Sequence, residues 1–199
     1  MAKIHGRMGC DMVKYVYKKI RKGRWYSIMD IDYFETTQYL EWLKEKLRLN
    51  SNAINAKRRV VKRGEVYECN FGVGVGSEER KKRPCVILQN DTANKNSAIV
   101  LVAPISHTEK SSPVVIPIVA QHDENDKLLL DGYVLVGNMT SVSKARLGNK
   151  ISSLSKAEMK EVEKAMLLQI GLWDKFHRMQ NELEEQKFII NKLKTKNGN

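Results

Sequence analysis

The stretch Gly76-Ser77-Glu78-Glu79-Arg80-Lys81-Lys82-Arg83-Pro84 crowds carboxylates and cations into one loop that runs directly into an apolar segment, Cys85-Val86-Ile87-Leu88. A second apolar segment ends at Pro104-Ile105-Ser106. Glu78, Arg83 and Ser106 together would supply what cleavage of RNA without a metal ion requires. In that reaction the ribose 2′-hydroxyl attacks its own adjacent phosphorus. One group must accept the hydroxyl proton, another must stabilise the charge gathering on the phosphorane, and the leaving 5′-oxygen must be protonated or neutralised. Glu78 is the candidate base. Arg83 is the candidate phosphorane stabiliser and leaving-group donor, because a guanidinium with a free pKa above about 12 makes a poor base. Ser106 is the candidate hydrogen-bond donor to a non-bridging oxygen. On spacing alone, a Glu and an Arg in so charged a loop read more simply as solvated side chains.

The elements that would have to bring these residues together are short and rich in Val and Ile. Pro84 restricts Arg83 to an extended conformation, which suits a strand entrance. The runs 66–71, 85–89, 99–104, 114–119 and 133–139 are broken by Gly, Asn, Asp and Pro, which predicts a small, coiled antiparallel sheet or barrel. Residues 72–76 and 91–96 carry the clearest loop signals. Ser155-Lys156-Ala157-Glu158 has the form of a capping box and opens a helix whose apolar face is Met159, Val162, Met166, Ile170 and Trp173. The same helix is predicted to continue into the tail, where Phe176, Met179, Leu183, Ile190 and Leu193 keep heptad-like spacing with Gln186 at the remaining position. That is a weak coiled-coil signal. His107 follows Ser106, and strand alternation would turn it to the opposite face, in a structural or solvent-facing role. Tyr67 and Phe71 offer rings on which bases could stack, although barrel aromatics more commonly belong to the core.

The 199 residues fit one main domain with appendages. Residues 1–60 form a basic extension with an amphipathic helix over about 35–49, marked by Tyr39, Leu40, Trp42, Leu43 and Leu47. A basic linker, 57–63, follows and reads as a solvated tether. Residues 61–175 form the main domain and 176–199 a helical tail. The net charge of +12 points to an anionic partner. Its distribution is uneven: residues 1–60 hold 14 Lys/Arg against 6 Asp/Glu, whereas 61–175 hold 16 against 14. Bulk charge therefore does not place a site. No apolar run approaches the roughly 20 residues needed to span a bilayer, and no apolar core of a secretory signal follows the basic start. Cys10, Cys69 and Cys85 lack metal-like spacing and read as reduced thiols of a cytoplasmic protein. Met29 stands just after the most basic stretch, 1–28, and before an acidic one, so it is a candidate for the true start.

The run VKRGEVYECNFGVGVGSEERKKRPCVILQND resembles the opening of the MazF/PemK family, in which a Lys-Arg-Gly-Asp/Glu strand leads to Gly-Ser-Glu, then Arg-Pro, then a Val/Ile-rich strand and Gln-Asn-Asp. VAPISH is similar to the family's second strand end, and GYVLVGNMTSVSKARLGNKISSLSKAEMKEVEKAMLLQIGLWD to its C-terminal half. The resemblance covers about 61–175. It implies an α+β fold, an SH3-like antiparallel β-barrel with a C-terminal helix, here preceded by a helical N-terminal extension. It implies the toxin of a type II toxin–antitoxin system: a homodimeric, cofactor-free and metal-independent endoribonuclease that cuts single-stranded mRNA sequence-selectively to 2′,3′-cyclic phosphate and 5′-hydroxyl ends. Its partners would be RNA and a cognate antitoxin, with DNA reached only through an antitoxin complex and no membrane. The motif arginine falls on Arg83, the motif glutamate on Glu78, and a family threonine on Ser106, which keeps the hydroxyl and loses a methyl. Ser77, Arg80, Lys81, Lys82, Asn138 and Ser141 would lie along the RNA path. Arg80-Lys81-Lys82 replaces small residues common in the family, and reads first as a solvated turn, with a phosphate attractant or an antitoxin contact as the alternatives. Near Asn138 the family often has Gln followed two residues later by a basic residue. Asn138-Met139-Thr140-Ser141 lacks that charge, which leaves the cutting sequence open. A gyrase-inhibiting relative of CcdB type, or a cleavage-dead binding module, stand as alternatives.

Overall fold

The structure is a computed structural model that describes residues 33–108 and 111–196. The segment 1–28, Met29 and Cys10 lie outside the described residues. The chain divides into two units after Ser51. In the first, the amphipathic pattern predicted over 35–49 forms α1 (Tyr33–Ser51). Glu35 in its first turn and Arg48 in its last complement the helix dipole, and Arg48 pairs with Glu45 at 2.7 Å.

The second unit begins with the one-turn helix α2 (Ala53–Ala56) and is built on β1 (Glu65–Asn70), β2 (Lys82–Ile87), β3 (Ile99–Ser106), β4 (Val115–His122), β5 (Leu128–Leu135), β6 (Thr140–Ser143) and β7 (Leu147–Ser153). The strands run in the order β4-β5-β3-β2-β1-β7, with β6 added to β3, and every pairing is antiparallel. The expected α+β architecture is therefore present as a curled half-barrel. Strand β3 is its pivot: along one edge it pairs with β2, and along the other first with β6 and then, from Ile105, with β5. The ends of the curl meet through Gln121 of β4, whose Nε2 donates to the Ser153 carbonyl at 3.2 Å and whose Oε1 accepts from the Ser152 hydroxyl.

The concave side is filled by Val66, Val86, Leu88, Ile105, Val134 and Val136, capped by Val162 and Ala165 of α4 (Lys156–Gln169). A second cluster around Cys69, Cys85, Ile87, Val100 and Val102 fills the other side. Tyr67 and Phe71 belong to it, so they are core residues. The Tyr67 hydroxyl donates to Glu65 Oε2 at 2.9 Å, and burial together with that bond pushes its pKa up to about 12. Cys69 and Cys85 are both free and buried. A hydrogen bond between the thiols, with burial, pushes the Cys85 thiol up, away from the reactive thiolate.

Several boundaries differ from the sequence expectation. Residues expected as a loop form α3 (Asp91–Asn96), because the Asn90 side chain accepts from Ala93 N at 2.8 Å and caps it. The expected single strand 133–139 is the end of β5 followed by a 3-10 turn, Val136–Asn138. The last helix does not run through into the tail. After Gln169 the chain takes a left-handed step at Gly171 (φ +70°). Leu172 N bonds the Leu167 carbonyl at 2.8 Å and Gly171 N the Leu168 carbonyl at 3.1 Å, a Schellman closure. A separate helix, α5 (Trp173–Lys196), then begins. Ile170, expected on the apolar face, is consequently half exposed. Nor is the linker only a tether: the Arg59 guanidinium donates to the Leu147 carbonyl at 2.5 Å and to the Gly148 carbonyl, over the Tyr67 ring.

Candidate active site

Strands β2 and β3 pair in register from Ile87↔Val102 to Cys85↔Pro104. Arg83 and Ser106 each stand two residues beyond the last of those pairs, at the same end of the two strands. Both line a cavity of about 410 Å³ together with Lys82, His107, Leu130 and Asp131. The local causes can be read residue by residue. Lys81 sits in the left-handed region (φ +68°), a costly conformation for a side-chain-bearing residue. It is held there by Lys81 N to the Gly72 carbonyl at 2.7 Å and Phe71 N to the Lys81 carbonyl at 3.0 Å. This clamp closes the neck of the 72–81 loop and launches Lys82 and Arg83 into β2.

Glu79 fixes Arg83. Its Oε2 lies 3.1 Å from Arg83 Nε, which also donates to the Arg80 carbonyl at 3.1 Å. The other carboxylate oxygen accepts from Asn138 Nδ2 at 2.8 Å. The Glu79 side chain is only 11% exposed. Both terminal nitrogens of Arg83 are without a hydrogen-bond partner among the described residues, so the guanidinium is anchored at one end and open at the other. Ser106, itself buried, accepts from Thr108 N at 3.2 Å, which leaves the hydroxyl proton free to donate. A guanidinium fork beside a hydroxyl suits a phosphate group.

The structure thus brings together Arg83, Ser106, Lys82 and His107, but not the other residues expected at the catalytic site or along the RNA path. Glu78 turns back into its own loop, where its carboxylate accepts from Val75 N at 2.9 Å and its amide donates to the Val75 carbonyl at 3.1 Å. The carboxylate beside Arg83 belongs to Glu79, one residue on. Arg80 closes the same loop by donating to the Gly76 carbonyl at 2.8 Å, while Ser77 and Lys81 are exposed on it. Asn138 is committed to Glu79. Ser141 pairs with Leu101 on β6 and does not line the cavity.

His107 was expected on the opposite face from Ser106. Strand β3 ends at Ser106, so the alternation stops there and His107 lines the same cavity. Its Nε2 lies 2.7 Å from Asp131 Oδ1. The approach of β5 that makes this pair depends on Gly132 (φ +100°): a Cβ there would stand 2.6 Å from the Ser106 carbonyl oxygen. Asp131 and Gly132 are functional-site residues that sequence reasoning missed, because an Asp-Gly pair ordinarily marks a turn and here lies inside β5.

The curled antiparallel sheet with its flanking helices, and the Arg83–Ser106 cavity at one end of β2 and β3, invite comparison with proteins of known kind. Residues 62–170 match the family described as PemK-like, MazF-like toxin of type II toxin-antitoxin system, and the chain belongs to that family. Among solved structures, it is similar to MazF from Deinococcus radiodurans, at 19% identity over 57% of this chain and 98% of that one, with a TM-score of 0.50. It also matches a mycobacterial endoribonuclease in complex with its cognate antitoxin, at 25% identity over 56% and 96% of the two chains, TM-score 0.48. A third match is MazF in a MazE–MazF complex from Deinococcus radiodurans, at 18% identity over 57% and 98%, TM-score 0.46. At these identities the likeness speaks to fold. Among the described residues no helix is long and apolar enough to cross a membrane.

Proposed function

We propose that this toxin is an endoribonuclease that cuts single-stranded RNA in the cytoplasm by attack of the ribose 2′-hydroxyl, leaving 2′,3′-cyclic phosphate and 5′-hydroxyl ends. The observation that carries the reading is the meeting of Arg83 and Ser106 in one cavity. The open end of the Arg83 guanidinium takes the two non-bridging oxygens and gains strength as they acquire charge in the phosphorane. Ser106 adds a hydrogen bond, and Lys82 draws the backbone in. Glu79 is a positioning residue that holds Arg83 by Nε. The protein works as a homodimer, and a cognate antitoxin silences it by occupying the cavity mouth. Membership of a family of type II toxin-antitoxin toxins supports the antitoxin.

The test is incubation of the purified protein with a long single-stranded transcript in excess EDTA, followed by mapping of the cut ends. Discrete cuts with cyclic-phosphate termini, abolished when the nucleotide 5′ of the cut is 2′-deoxy, are expected. Binding without cutting would instead identify a cleavage-dead RNA-binding module and overturn the reading.

A further inference from the structure

The cavity around Arg83 and Ser106 contains a hydrogen-bonded His–Asp pair to which no role has been given. The proposal that follows rests on the endoribonuclease reading and deepens it. A guanidinium accepts no proton at neutral pH, and Glu78, the carboxylate predicted as base, is turned away into its loop. Glu79 spends one oxygen on Arg83 and the other on Asn138. That leaves the cleavage reaction without a proton acceptor among the arginine, the hydroxyl and the nearest carboxylate.

We propose that His107, oriented by Asp131, is the general base that takes the proton of the ribose 2′-hydroxyl. Three observations carry this. His107 lines the cavity that Arg83 and Ser106 line. Its side chain is 76% exposed, so substrate reaches it. Its Nε2 is engaged by Asp131 Oδ1 at 2.7 Å; the carboxylate accepts the Nε2–H, which fixes the tautomer whose Nδ1 carries the lone pair and stabilises the imidazolium that forms. The backbone is built for the pair. The Thr108 N–H bond to Ser106 Oγ makes a short turn centred on His107, and Gly132 lets β5 approach closely enough to bring Asp131 alongside. A second cavity of about 260 Å³, lined also by Tyr133 and Pro117, shares His107 and Asp131. The imidazole thus stands at the junction of two spaces, as a residue acting between two successive nucleotides would.

The step balances without a further reactant beyond water. The 2′-oxygen forms a bond to phosphorus as its proton passes to His107 Nδ1. The bond from phosphorus to the 5′-oxygen breaks, the 5′-oxygen takes a proton from water, and the imidazolium returns its proton to the hydroxide left behind. Among the described residues, the charged and titratable groups that line these cavities with the imidazole are Asp131 and Tyr133 from β5 and Lys82 and Arg83 from β2.

The experiment is single-turnover cleavage of a single-stranded transcript in EDTA, with the full-length protein in saturating excess over RNA, measured from pH 5 to 9 for wild type, Arg83→Ala, His107→Gln, His107→Ala and Asp131→Asn. The wild-type rate is expected to rise with pH along an acidic limb. His107→Gln should lose that limb and about 10²–10⁴-fold in rate near neutrality while retaining RNA affinity. Asp131→Asn should lower the rate less and keep a limb. Added imidazole should partly rescue His107→Ala, since an exposed side chain leaves an open space behind it. A His107→Gln protein that keeps the wild-type rate or the wild-type limb overturns the proposal even if Arg83→Ala is inactive; in that case the endoribonuclease reading stands and only the base is misassigned. A wild-type protein that cuts nothing ends that reading, and this assignment with it.

Discussion

At the scale of single residues, the site is organised by two carboxylates with different duties. Glu79 restrains Arg83 from the Nε side, whereas Asp131 restrains His107. Arg83→Ala removes the one fixed cation opposite Ser106, and transition-state charge stabilisation of this kind is worth about 10²–10³-fold or more in rate. Cleavage by that variant should fall at least that far, with an unchanged thermal transition. Glu79→Ala should reduce single-turnover rate by up to about 10²-fold through misplacement of the guanidinium alone, with RNA affinity largely kept; an unchanged rate would show that Arg83 needs no such holder. Gly132→Ala places a methyl against the Ser106 carbonyl and forces a left-handed backbone on a residue with a side chain. It should destabilise the protein by about 1–3 kcal/mol, read as a lower Tm. The sequence singles out Arg83 and Ser106 chiefly through the family resemblance, since on spacing alone an Arg in so charged a loop reads as solvated; both line one cavity. The choice between Glu78 and Glu79 was not legible in it, because adjacent residues in an irregular loop point wherever its hydrogen bonds send them. For His107 the rule of alternation ends where β3 ends, and its exposure agrees with the solvent-facing position expected of it.

Among the elements, α4 is hydrogen-bonded to β4 through the Glu158 side chain. Glu158 accepts from Ser155 N at 2.7 Å, closing the capping box, and its other oxygen accepts from Val119 N at 2.9 Å. Burial alone would raise its pKa, but the hydrogen bonds from Ser155 and Val119 outweigh it and hold the carboxyl below its ordinary value. A group whose pKa is depressed by folding stabilises the fold above its unfolded value, about 4.3, and loses that contribution as pH falls through the folded one. Glu158→Gln should therefore cost about 1 kcal/mol of stability at pH 7. The difference from wild type should shrink as pH drops below about 4, as denaturant melts across that range would show. The capping box and the Val- and Ile-rich strands were readable because each has a local cause. Strand β7 was not: its residues are mostly exposed or half-exposed, it pairs with β1 through two register shifts, and neither feature leaves an alternating pattern. The break between α4 and α5 was written in Gly171, but a heptad-like run of apolar residues across it masked the stop.

For the molecule as a whole, charge and chemistry lie in different places. Most of the excess positive charge belongs to residues 1–60, whereas the cavity residues lie in a segment of the sequence near neutrality. Non-specific attraction to a polyanion comes from the number of phosphates neutralised and weakens with salt by about 0.7 log units per phosphate for a single strand. Removing residues 1–51, which leaves Arg59 and the second unit intact, should flatten the salt dependence of RNA affinity. It should leave the single-turnover rate at saturating protein unchanged. A loss of rate would instead place part of the catalytic machinery in the extension.

The most direct test of the central claim, that Arg83 and Ser106 form one phosphate-handling site, is a double-mutant cycle on single-turnover RNA cleavage in EDTA with wild type, Arg83→Ala, Ser106→Ala and the double variant. Two groups acting on the same phosphate should be strongly non-additive, so the double variant should be scarcely slower than Arg83→Ala. Independent, multiplicative losses, or a Ser106→Ala protein as fast as wild type, would contradict it.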